Sequence, residues 1–173
     1  MQFTAPWGIH VKIMTIGGSL ICLGAPLLFI APPDGSFAGQ FMFYCMKAPL
    51  FLWLGSLLLT IRGYTITEDS ILIHRLIWET RLPLEHLKEV DLGNATFRNS
   101  IRCFGNGGLF GISGLYYNKC VGTFRVFVTD TTHTVLLKFA SRTILLSPDD
   151  PRRFVSALLR QVNLGSAMLE AAG

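Results

Sequence analysis

The chain has 173 residues, of which 50% are hydrophobic and 15% are charged. Its formal net charge of +4 comes from 15 basic and 11 acidic residues. Because the basic residues form no dense run, the composition argues against a nucleic-acid-binding protein.

Two long apolar stretches, Val11–Ala31 and Met42–Ile61, flank the short polar connector Pro32–Gln40. Each has about 20 residues, or roughly 30 Å as a helix, which matches the hydrocarbon core of a bilayer. The pattern predicts a transmembrane helical hairpin within an N-terminal segment, residues 1–62. A signal peptide is the alternative for the first stretch. Its apolar region would be shorter, however, and the prolines after Ala31 suit cleavage poorly.

The few charges around the spans predict their orientation. Lys12 and Arg62 flank the hairpin on one side, whereas the connector carries only Asp34. The positive-inside rule therefore places both termini and the following domain in the cytoplasm, with the hairpin in the inner (plasma) membrane. Lys47 lies inside the second span. It either reaches back to the interface or contacts an acidic group on a partner subunit.

Small residues recur two turns apart in each span, Gly17 and Gly24 in the first and Ala48 and Gly55 in the second. Small residues on one face let helices approach closely. This pattern indicates either packing of the two spans on each other or an interface with another membrane protein, and the sequence does not separate the two.

The remaining chain, Arg62–Gly173, is long enough for one small domain with its own core. Seven short runs have β-rich composition or alternation, with turn residues between them: Tyr64–Thr67, Ile71–Leu76, Ile77–Leu82, Val90–Leu92, Thr123–Thr129, Val135–Phe139 and Thr143–Leu146. The segment Ser147–Pro151 is typical of a helix start, and Gly165 is a natural helix end. We expect a folded domain over residues 63–165 and a flexible tail over residues 166–173.

The domain resembles the bacterial pleckstrin-homology (PH) domain family. The resemblance is carried by Gly63–Thr67, by the glycine-rich segment Phe104–Gly111 and by Ser147–Phe154 at the helix start. It implies an α+β membrane protein in which the helical hairpin precedes a seven-stranded, partly open β-barrel or sandwich capped by one C-terminal helix. PH-like folds host lipid binding, peptide binding and assembly roles, so the resemblance implies a fold more than an activity.

One loop departs from the pattern of phosphoinositide-binding PH domains. These domains use basic residues around the loop between their first two strands. Here that loop is Glu68-Asp69-Ser70, which is acidic, and only His74 and Arg75 follow on the next strand. Inositol-phosphate recognition at the usual site is therefore not expected.

The interval between Asp91 and Asp130 contains no acidic residue, but it is rich in glycine, aromatic and basic residues and lacks clear strand periodicity. It could be an ordered excursion whose aromatics complete the core, a membrane-surface contact that favours anionic lipid, or a docking surface for a partner protein. Three basic residues, four aromatic residues and one leucine of this interval are predicted to contact a partner or the membrane surface: Arg98, Arg102, Phe104, Leu109, Phe110, Tyr116, Tyr117 and Lys119.

No catalytic or cofactor motif is complete. Gly111-Ile112-Ser113-Gly114 misses the nucleophile elbow because position 115 is Leu, and no phosphate-binding Gly-Lys-Ser/Thr or metal-ligand spacing occurs. Cys103 and Cys120 are expected to be free thiols in a reducing cytoplasm. The leading hypothesis is a non-enzymatic accessory subunit of a larger membrane complex, without cofactor or metal; the alternative is a lipid-binding or sensing module.

Overall fold

The computed structural model describes residues 1–27, 35–93 and 97–171. Its helices are α1 (Ile9–Leu27), α2 (Phe37–Leu58) and α3 (Pro151–Ala171). Ten strands are present in these residues: β1 (Gln2–Thr4), β2 (Ile61–Ile66), β3 (Ser70–Arg75), β4 (Glu79–Pro83), β5 (Leu87–Leu92), β6 (Ile101–Gly107), β7 (Ile112–Asn118), β8 (Gly122–Val128), β9 (Val135–Phe139) and β10 (Thr143–Leu146).

Helices α1 and α2 have 19 and 22 residues and are long and apolar enough to cross a membrane. They begin before the predicted spans, at Ile9 and Phe37. The second ends at Leu58 rather than Ile61, because Ile61 already belongs to β2. The predicted end of the first span at Ala31 lies outside the described residues.

The contact between the two helices does not use the glycine pattern. A methyl group added at Gly17, Gly24 or Gly55 would meet no described atom within 4 Å. The helices are joined instead by a hydrogen bond from Trp53 Nε1 to Ser19 Oγ of 2.8 Å. The glycine-bearing faces are therefore open within the described part of the chain.

The strands form two sheets. The first has the order β1-β2-β3-β4 and the second the order β5-β9-β10-β8-β7-β6. Every pairing is antiparallel except that of β10 with β8, which is parallel, with Ile144 opposite Arg125. The ten strands replace the predicted seven, since β1, β6 and β7 were not predicted.

Strand β1 lies before both helices in the chain but pairs with β2, which follows them. Thr4 lies opposite Gly63, and the Ala5 amide donates to the Arg62 carbonyl at 3.3 Å. The first five residues are therefore part of the β-domain, although the sequence places the domain start at residue 63.

The main core fills the space between the sheets and is closed by α3. Phe154 and Leu158 of this helix are fully buried, and the Phe154 ring lies 5.0 Å from Phe3 and 6.3 Å from Tyr64. Asp150 caps the helix by accepting from the Arg153 amide at 3.0 Å, as expected from the predicted helix start. The helix continues to Ala171, past its predicted end at Gly165.

A second core covers the other face of the six-stranded sheet. Side chains from β7 and β8, including Ile112, Phe124 and Val126, pack there with Val11 at the start of α1. The Gly8 amide also donates to the Thr129 carbonyl at 2.9 Å. Because Val11 has no solvent exposure, the first turn of α1 belongs to the folded domain.

Candidate functional site at the β6–β7 hairpin

The glycine-rich interval is a β-hairpin rather than a region without strands. Strand β6 pairs with β7 from Ile101 opposite Tyr117 to Gly107 opposite Ile112. The Asn106 side chain organises the turn, with its Oδ1 accepting from the Leu109 amide at 3.1 Å and its Nδ2 donating to the Leu109 carbonyl. The strand prediction failed because glycines replace the side chains whose alternation would have shown the strands.

Two of these glycines, Gly105 and Gly114, lie opposite each other in the hairpin. Their φ angles are +120° and +151°, which L-residues with side chains rarely adopt. A methyl group on Gly105 would collide with the Ser113 carbonyl, and one on Gly114 with the Phe104 carbonyl. Both positions therefore require glycine.

The tip of the hairpin, Gly108–Gly111, docks on α1. Thr15 Oγ1 accepts from the Phe110 amide at 2.8 Å and donates to the Gly108 carbonyl at 3.3 Å. Leu109 lies against Gly18, where an added methyl group would have to displace the end of the Leu109 side chain. The domain and the helices are thus joined by polar and apolar contacts beyond the chain connections.

Phe110 adds aromatic contacts to this junction. Its ring lies 6.2 Å from Trp7 and 5.3 Å from Trp53 of α2, both in edge-to-face geometry. Phe110 itself is 8% exposed and has a φ of +61°. Neither Thr15 nor Trp53 carries a sequence signal for this contact, because each lies in an otherwise apolar stretch.

The structure divides the predicted contact residues into two groups. Phe110 and Tyr116 are buried and Leu109 is half-buried against α1, so these three pack inside the chain. Tyr116 lies 5.6 Å from Phe97 and 6.3 Å from Phe124, and burial raises the pKa of its phenol. This corrects the prediction for Phe110 and Tyr116, whose side chains are not accessible to a partner.

The other group faces solvent. Arg98, Arg102, Phe104, Tyr117 and Lys119 are all exposed. Most of them lie on or beside β6, which is one of the two edge strands of the six-stranded sheet.

The edge formed by β6 is apolar as well as exposed. Phe104 is 81% exposed and Ile101 is 70% exposed. Natural edge strands are usually protected by charge, proline or a covering segment, because they present unpaired backbone groups. Here two large apolar side chains lie on the edge beside Arg102.

Lys47 lies inside α2, where it is half-buried. Its ammonium group is 4.9 Å from the centroid of the Phe43 ring, and it makes no ion pair with the described residues. The structure thus places a cation within a candidate span, without an acidic partner among the described residues.

The loop between β2 and β3 holds no available basic site. Asp69 forms an ion pair with Arg81, and a hydrogen bond from Ser70 lowers the pKa of the Asp69 carboxyl. His74 is engaged by Glu79 at 2.8 Å and by Thr65 at 2.6 Å. The loop itself therefore offers no basic side chain for an inositol phosphate, and His74 on the following strand is already paired.

Side chains suited to metal binding do not converge in the described ranges, where no group of three His, Cys, Asp or Glu could hold a metal ion. The four cysteines are free thiols, and Cys103 and Cys120 are exposed. His133 is paired with Asp130 at 3.0 Å.

Two packed sheets closed by a C-terminal helix define a PH-like β-sandwich. The family model described as "Bacterial PH domain" matches residues 62–162, more than half of the chain. The chain belongs to the bacterial PH domain family. No curated protein and no solved structure matches it.

Proposed function

We propose that the chain is an integral protein of the inner (plasma) membrane, anchored by α1 and α2, with its PH-like domain in the cytoplasm. The length and apolarity of the helices support this, and so does the exposure of α2, which has no buried residue. The pairing of β1 with β2 holds the start of α1 and the end of α2 together. Both ends of the hairpin therefore lie on the same face of the membrane.

We further propose that the domain is a non-enzymatic accessory or assembly subunit of a larger membrane protein complex. The observation that carries this proposal is the exposed apolar edge of β6. An extended segment of a partner could add to that edge as a further strand, with Ile101 and Phe104 supplying apolar contacts. The docking of the hairpin tip on α1 fixes the edge relative to the anchor.

Replacing Ile101 by Lys tests this role. Ile77→Lys is the matched control, because Ile77 is 72% exposed, close to the 70% of Ile101, but lies in the turn between β3 and β4. Each full-length protein is extracted in mild detergent, and its co-purifying proteins are quantified by mass spectrometry. We expect a stoichiometric partner with the wild type and Ile77→Lys and at least a tenfold loss with Ile101→Lys. A clean monomer, or a partner retained equally by both variants, would contradict the proposal.

The second candidate is a lipid-sensing role of the hairpin. It is favoured by Arg98, Arg102 and Lys119, which are exposed and form no ion pair with the described residues. Basic residues near an anionic leaflet gain about 1 kcal/mol each. Hydrogen exchange of the hairpin in nanodiscs with and without anionic lipid tests this role. We expect slower exchange with anionic lipid, and the effect should disappear when all three residues become Ala.

A further inference from the structure

A groove of about 520 Å³ lies where α2 passes into the β-domain. Its lining includes Leu59, the residue that follows α2, and Gly105 and Gly114 of the β6–β7 hairpin. Both glycines have positive φ angles and contribute no side chain to the groove. Phe104 and Leu115 form the apolar side of the groove.

The charged residues of the groove are two arginines, Arg75 and Arg125, and its lining contains no carboxylate. Arg75 is half-buried. Its Nη1 donates to the Leu59 carbonyl at 3.1 Å and its Nε donates to Thr80 Oγ1 at 3.3 Å. Its guanidinium carbon lies 5.3 Å from the Phe127 ring centroid and 5.8 Å from that of Trp78. All of these partners are uncharged.

The half-buried charge of Arg75 is therefore not compensated by an anion from the described chain. Burial lowers the pKa of the Arg75 guanidinium, and the raising influence of Tyr64 is smaller. Arg125 is exposed on β8 and forms no ion pair with the described residues. Two cations that share one groove without a counter-charge favour an anionic ligand, and the planar guanidinium matches a phosphate oxygen pair.

We propose that this groove binds the headgroup phosphate of an anionic phospholipid from the membrane in which the chain is anchored. The phosphate lies between Arg75 and Arg125, and the adjoining apolar part of the lipid lies along Phe104 and Leu115. The inference rests on the membrane anchoring in the proposed function.

The position of the groove favours a lipid over a soluble phosphate. Leu59 follows directly on the last residue of α2, so the groove opens at the level where a spanning helix meets the headgroups. Its walls are mainly apolar, which suits an amphiphile, and Phe104 at its mouth is 81% exposed.

The experiment measures lipid binding to the full-length protein in detergent by native mass spectrometry. The probes are phosphatidylglycerol, phosphatidylcholine and inorganic phosphate. Arg125→Gln is the decisive variant, since Arg125 makes no hydrogen bond within the described chain that its loss would break. Arg75→Gln also removes the contact to Leu59, so it serves as a second variant whose folding is checked by thermal melting. The control is Arg142→Gln, which changes an arginine stacked on Phe139 at 5.2 Å, outside the groove lining.

We expect one phosphatidylglycerol to bind the wild type and Arg142→Gln with similar affinity and Arg125→Gln at least about tenfold more weakly, as for loss of a charge-assisted hydrogen bond. Equal binding by Arg125→Gln, equal binding of phosphatidylcholine, or inorganic phosphate that competes at similar concentration would each overturn the proposal. Loss of lipid only when Arg98 and Arg102 are replaced would overturn it too, by assigning the lipid to the hairpin edge.

Carbonate extraction of cell membranes tests the anchoring separately. A protein that is retained in the membrane but binds no lipid in the groove refutes the groove alone. A protein released by carbonate refutes the anchoring, and with it the membrane source of the ligand.

Discussion

Thr15→Val removes the polar link between α1 and the hairpin tip while keeping the shape of the side chain. Thr15 is 7% exposed, and its hydroxyl satisfies both the Phe110 amide and the Gly108 carbonyl. A buried backbone group left without a partner costs about 1–3 kcal/mol. Because the bond to Gly108 is the longer of the two, we expect a total loss of about 2–4 kcal/mol in the free energy that holds the tip closed.

Hydrogen exchange of the full-length protein in detergent measures this loss locally. Since 1.4 kcal/mol corresponds to a factor of ten, even the lower estimate predicts roughly 30-fold faster exchange at the tip amides. Thr15→Ser retains the hydroxyl and should exchange at close to the wild-type rate. Thr123→Val, at an exposed position of β8, should not affect the tip. Unchanged exchange of the Phe110 amide in Thr15→Val would refute the docking described here.

Gly114→Ala should destabilise the domain by about 2 kcal/mol or more, because the added methyl group collides with the Phe104 carbonyl. Gly55→Ala adds its methyl group in open space and should be neutral or stabilising by up to about 1 kcal/mol. Thermal melting compares the two variants. Tyr64→Phe should lose about 1–3 kcal/mol at neutral pH, because the buried Tyr64 hydroxyl donates to the Phe127 carbonyl at 2.7 Å. Burial also raises the pKa of Tyr64 from 10.0 to about 12, so the unfolded chain ionises first and the wild type should lose about 2 kcal/mol of stability between pH 10 and 12. Denaturant unfolding at each pH should therefore show the stability difference between wild type and Tyr64→Phe shrinking above pH 10, and a constant difference would contradict the burial of an un-ionised phenol.

The sequence predicts well those strands whose side chains form a clear apolar run between turn residues. Strands β9 and β10 match the predicted Val135–Phe139 and Thr143–Leu146, because continuous apolar runs between turn residues leave few alternatives. The resemblance to bacterial PH domains is likewise confirmed by the family match.

The features that escaped prediction depend on distant partners or on backbone conformation. Strand β1 has only three residues and is a strand only because it pairs with β2, about sixty residues further along the chain. Strands β6 and β7 are interrupted by Gly105 and Gly114, which have no side chain to show a period. The division of the candidate site into buried and exposed residues follows from the docking of the tip on Thr15, a contact between residues far apart in sequence.

The pairing of β1 with β2 also determines the order in which the molecule can assemble. As the chain is synthesised, β1 emerges first and has no partner until both helices and Ile61–Ile66 have followed. The first sheet can therefore close only after the helical hairpin is complete. Once closed, it pairs Thr4, five residues before α1, with Gly63, five residues after α2, and so keeps the two helix ends that meet the domain close together. Any separation of the two helices must then be larger at Leu27 and Phe37 than at the ends that meet the domain.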